Sequence, residues 1–138
     1  MKAVKTTLEG VTYYLVLNGE AMFQIRDSFD STKLLLEAMQ KDTREGFKAT
    51  CAAAAILAEQ GELVRRRLGY LPGEIPETAD FAVLSQPSEI TALKNAVIHA
   101  LTLGYGREIK APGDAEYDEG LEELNQKKTK LGERIITR

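Results

Sequence analysis

The chain has one histidine and one cysteine in 138 residues, and that scarcity removes several chemistries at once. A lone cysteine, Cys51, cannot form an intrachain disulfide, so a reducing, cytoplasmic setting is the default. One His and one Cys cannot build a typical zinc site, which takes four protein ligands, or three and a water. A Cys–His dyad would need Cys51 and His99 to meet in space, with a third group orienting the base. Cys51 lies in an Ala-rich run, where cysteine behaves as a small hydrophobe. His99 sits between Ile98 and Ala100, beside an apolar stripe.

Long hydrophobic runs are missing too. The longest run of small apolar residues, "CAAAAILA" (51–58), is too short and too rich in Ala to span a bilayer. "MKAVKTTLEG" has lysines but no apolar stretch behind them, so no signal peptide is expected. Excess charge of one sign is also absent. The formal net charge is -3, and a nucleic-acid footprint would want a basic patch or stripe. "GYGRE" (104–108) resembles a Gly-rich phosphate loop in composition only, because it follows a helix and not a strand. The acidic run "DAEYDEGLEE" (114–123) reads as a solvated segment. No catalytic, metal or cofactor constellation emerges, and the chain does not read as an enzyme.

What is present is an ordinary globular composition, 43% hydrophobic and 28% charged, at a length that suits one domain with a core of its own. The pattern predicts an α+β fold: an N-terminal antiparallel β-hairpin followed by a mostly helical bundle. Val4–Leu8 and Val11–Leu17 are strand-like around a Glu9-Gly10 turn. Two strands alone are marginal in water, so the hairpin must pack on helices or pair with another copy through its exposed edges. Asn18-Gly19 would suit a hairpin turn, but a helical pattern follows it, and Asn18 reads instead as a helix N-cap. Met22, Phe23, Ile25, Arg26 and Phe29 supply that helix's apolar face. Asp30 or Ser31 caps a short helix, "TKLLLEAMQ".

Asp42 and Glu45 form a capping-box pattern that opens a long helix over about 43–69. Its inward stripe is Phe47, Cys51, Ala54, Ala58, Gly61 and Leu68, mostly small residues that let another helix come close. Gly61 costs this helix about 1 kcal/mol of propensity relative to Ala. Arg65, Arg66 and Arg67 complement the helix dipole in the last turn, Arg65 and Arg66 being also candidate partner-binding residues. Gly69 ends the helix as its C′ residue. "LPGEIPETADFAVLSQP" is a connector with three of the four prolines, within which "ADFAVL" can form a short helix or turn. Pro87 or Ser88 starts a helix to about Leu103, with Ile90, Leu93, Val97 and Leu101 on one face and Gly104 as its stop. Residues 1–110 are thus read as one domain and 111–138 as a flexible or partner-ordered amphipathic tail. Leu121, Leu124, Leu131 and Ile135 are its apolar stripe and its candidate partner-binding residues. That stripe is marginal as a helix by itself.

The order of elements, with the words "NGEAMFQIRDSFD" and "PSEITALKNAVIHALTLGYG", resembles the tail assembly chaperones of long-tailed phages and prophages of Gram-positive bacteria. Such proteins commonly begin with a strand–turn–strand and a helix that has an acidic end and a Gly or Asp break, matched here by Val11 to Asp30. "EGLEELNQKKTK" is similar to their ends, where a run of lysine codons often hosts a programmed frameshift; Lys127 and Lys128 are the matching positions. The resemblance implies a protein that binds the tape measure protein and keeps it soluble. A frameshift-extended product would recruit tail-tube subunits. It implies action in the host cytoplasm, absence from the mature virion, and neither a membrane nor a nucleic acid as partner. The rival readings are a DNA-binding regulator, for which "RRRLGY" is the one recognition-helix candidate, a small enzyme with Cys51 as nucleophile, and another non-catalytic helical adaptor or secretion chaperone of the same α+β plan.

Overall fold

In a computed structural model the chain is described over residues 2–106. The fold is α+β, an antiparallel two-stranded hairpin followed by helices. Strand β1 (Val4–Leu8) pairs with β2 (Val11–Leu15) in the register Val4↔Leu15 to Leu8↔Val11. Glu9 and Gly10 between them have φ of 49° and 78°, the left-handed pair that a two-residue hairpin turn requires.

The second strand stops two residues short of the expected Leu17. From there the backbone has other partners: Val16 donates its N–H to the Leu57 carbonyl of a helix, at 3.1 Å. Residues 14–17 are buried on alternating sides. Leu15 and Leu17 enter the main core, while Tyr14 and Val16 meet Ala3 and Tyr70 in a second, smaller one. A strand end covered on both faces shows only loose alternation in its sequence.

Helix α1 (Gly19–Phe29) is capped by Asn18, whose side-chain oxygen accepts from Ala21 N at 2.9 Å. Its end is marked by Asp30 at φ 70°. Ser31 then caps α2 (Thr32–Met39), accepting from Leu34 N at 3.1 Å. Helix α3 (Arg44–Arg67) is capped by Thr43, whose hydroxyl accepts from Gly46 N at 3.3 Å. The expected Asp42–Glu45 capping box does not form: the cap falls one residue later, on Thr43 in the extended conformation, and the third helical residue is then Gly46, which has no side chain to complete a box. The C-terminus closes as expected on Gly69, at φ 95°. Tyr70 N bonds Arg65 O and Gly69 N bonds Arg66 O, the paired bonds of a Schellman motif.

Helix α4 (Thr78–Leu84) and a 3₁₀ turn (Pro87–Glu89) lead into α5 (Ile90–Gly104). Helix α3 runs through the middle and touches α1, α2, α4, α5 and β2. It buries far more than one stripe: Ala49, Thr50, Cys51, Ala53, Ala54, Leu57, Ala58, Gln60 and Glu62 all lie inside. Phe47 and Leu68, expected at the two ends of the inward stripe, are only half-buried. The large fully buried ring is instead Phe81 of α4, which packs against Tyr13 with ring centroids 5.6 Å apart. An Ala-rich central helix explains this arrangement, since small side chains let five neighbours approach one axis and bury it on most sides.

Candidate functional site

Helix α2 has three consecutive leucines, and consecutive side chains fan around a helix, so the three cannot share one face. Leu35 is fully buried, Leu34 is exposed and Leu36 is half-buried. Leu36 faces the last two turns of α5 across a groove of about 550 Å³, whose walls also include Ile98, Leu101 and Tyr105. The hydroxyl groups along it are paired. Thr32 Oγ1 and Tyr105 Oη share a hydrogen bond of 2.6 Å, and Thr102 Oγ1 donates to Ile98 O at 2.9 Å. What remains is an apolar trough with Lys33, Glu37 and Gln40 on its rim. A trough of that kind suits the apolar stripe of a helix. A small polar substrate would want converging unpaired donors and acceptors.

The second organised cluster surrounds Glu62, whose side chain is only 7% exposed. Arg65 Nη1 donates to Glu62 Oε1 at 2.6 Å, and Arg66 Nε donates to Oε2 at 2.9 Å. The backbone N–H of Gly73 donates to Oε2 at 2.6 Å, while Arg66 Nη2 donates to Gly73 O at 2.9 Å. Burial pushes the Glu62 carboxyl up and is the largest single influence. The Gly73 amide, Arg66 and Arg65 together outweigh it and hold the carboxyl below its ordinary range. The Arg65 guanidinium also lies 5.4 Å from the ring centroids of both Tyr14 and Tyr70. This cluster therefore clamps the connector after α3 onto the helix and the hairpin.

The structure thus places Arg65 and Arg66 on internal partners, away from the α2/α5 groove. Leu121, Leu124, Leu131 and Ile135 lie outside the described residues. Cys51 is fully buried, and burial pushes its thiol up to about 11, which favours the protonated form at neutral pH. His99 is half-buried on α5. Among the described residues no group of three or more His, Cys, Asp and Glu side chains could hold a metal ion. No helix of the described residues is long and apolar enough to cross a membrane.

The groove's signal in the sequence is "LLL" within one short helix: with Leu35 facing the core, its two neighbours are left less buried. The Glu62 clamp also had a signal, a carboxylate three and four residues before two arginines. No family model matches the chain, and no curated protein or solved structure matches it.

Proposed function

We propose that this chain is a non-catalytic binding protein of the phage tail assembly chaperone kind, seating an apolar helical stripe of a long tape measure protein in the groove between α2 and α5. The observation that supports this reading is that groove: apolar walls, paired hydroxyls and a charged rim. A partner held this way keeps its apolar face out of water, and so soluble, until tail-tube subunits polymerise around it. Recruitment of those subunits falls to the frameshift-extended product, and the work is done in the host cytoplasm before the virion matures.

Co-expression with the tape measure protein of the same phage tests the proposal. The expected result is soluble co-purification that is lost in Leu36→Lys, a half-exposed position whose replacement leaves the fold standing. An insoluble partner, or co-purification indifferent to Leu36→Lys at an unchanged thermal midpoint, would overturn it.

A further inference from the structure

The hairpin has two outer edges, and α3 closes one of them. We infer that the other edge, along β1, takes up an extended segment of a partner protein as a third strand, laid between β1 and α5 with small side chains turned towards α5. The inference does not draw on the α2/α5 groove.

The register decides which main-chain groups point outward. Leu8 and Val11 flank a two-residue turn, so they form a hydrogen-bonded pair, and Thr6↔Tyr13 and Val4↔Leu15 follow by alternation. The N–H and C=O of Thr12 and Tyr14 therefore point away from β1, and those of Thr7 point away from β2. Val16 carries the alternation on. On the β2 side α3 fills the edge: the Val16 N–H reaches the Leu57 carbonyl at 3.1 Å, and the Tyr14 carbonyl abuts Gly61. On the β1 side no main-chain group among the described residues pairs with the outward N–H and C=O of Thr7.

This edge is one wall of a cleft of about 220 Å³. Thr6, Thr7 and Leu8 line it from the strand, and Ser85, Ala92 and Ala96 line it from the end of α4 and from α5. The Ser85 hydroxyl is buried and has no hydrogen-bond partner among the described residues, an unmade bond of a kind that native structures rarely keep. The cleft thus has a main-chain donor and acceptor on its strand wall and an unpartnered hydroxyl on the facing wall. An extended backbone matches that set, because its own N–H and C=O groups can pair with Thr7. A helix cannot, since its main chain is already bonded within itself. Successive side chains of an added strand alternate between faces. The residue opposite Thr7 turns its side chain outward with that of Thr7, which is exposed, and its neighbours turn theirs towards α5. There Ala92 and Ala96 stand one turn apart, and the small volume admits side chains of Ala or Ser size.

A blocked six-residue peptide of alternating Thr and Ala, titrated to millimolar concentration into the isotopically labelled full chain, tests this. The Thr7 amide resonance should shift, and its hydrogen exchange should slow about tenfold or more at saturation. Resonances of Leu36 and Ile98 should stay in place, which separates the outcome from that of co-purification. N-methylation of the peptide's Thr residues, whose amides face β1, should abolish binding, while N-methylation of its Ala residues should leave it intact. Thr7→Pro removes an N–H that the hairpin ladder does not use, and Ala92→Leu fills the cleft from an exposed position. Each should weaken binding about tenfold or more, with the amides of α3 still protected. Absence of a shift at Thr7, or equal losses from the two N-methylated peptides, would overturn the inference. A shift at Thr7 that appears on concentrating the protein without peptide would also overturn it, because the occupant would then be a second copy.

Discussion

A β-carbon on Gly61 would overlap the carbonyl oxygen of Tyr14. One turn earlier in the same helix, Leu57 accepts the N–H of Val16 at 3.1 Å. Strand β2 and helix α3 thus meet backbone to backbone, closer than any side chain would allow. The hairpin is held to the helical part by this seam, and Gly61 occupies an otherwise unfavourable position because only its bare α-carbon fits.

The seam predicts an inverted sign for a familiar substitution. Gly→Ala inside a helix ordinarily gains about 1 kcal/mol. Gly61→Ala should instead cost about 2 to 3 kcal/mol in denaturant melts, because backbone has to move. Gly19→Ala is the control. Gly19 has nothing within 4 Å of an added β-carbon, and its replacement should be neutral or slightly stabilising. A gain at Gly61 would disprove the close approach.

Two phenylalanines should separate in the same assay. Phe81 is fully buried against Tyr13, and Phe81→Ala should cost about 3–5 kcal/mol. Phe47 is half-buried and already exposes part of its ring, so Phe47→Ala should cost roughly half as much. Equal losses would contradict the packing of α4 over the hairpin.

The Glu62 clamp carries a pH signature. Its folded-state carboxyl lies below the ordinary value, so its contribution is present above the unfolded value of about 4.3 and is lost as pH falls through the lower folded value. Glu62→Gln should destabilise by about 2 kcal/mol at pH 7, since Arg65 is left buried without its carboxylate. The difference between wild type and variant should shrink steadily as pH drops below about 4. Urea midpoints measured from neutral to acid pH check this, and a difference that holds constant or grows in acid would refute it.

Cys51 should behave as packing. With a thiol pushed up to about 11 and no exposed surface, it should react with a thiol reagent at neutral pH at least about a hundredfold more slowly in the folded chain than in denaturant. Rapid labelling of the folded protein would reopen a role for the sulfur.

Local signals made most of the elements legible beforehand. Asn18 and Ser31 have side chains that satisfy orphan N–H groups, Gly69 adopts the positive φ that ends α3, and Glu9-Gly10 turns the hairpin. Each of these depends on one or two neighbouring residues and on backbone sterics, which sequence carries directly. The capping of α3 was missed by one position, since Asp42 and Thr43 are both competent caps and only the local backbone chooses between them.

The candidate site was far less legible. Arg65 and Arg66 looked like surface cations, because nothing in a linear pattern reveals that Glu62 is buried beneath them or that the Gly73 amide joins it. Phe47 looked central because helical spacing identifies a face but not how far along the helix its neighbours extend.

Sequence alone determined the class of fold, the hairpin turn and most of the helix ends. These rest on residue chemistry and short-range geometry. Tertiary structure decided the rest: that α3 is the central helix, that Gly61 is a docking seam, and that one leftover leucine of α2 forms a groove with α5. Those outcomes depend on which surfaces meet across long stretches of chain, a property of packing between elements that no single element's pattern contains.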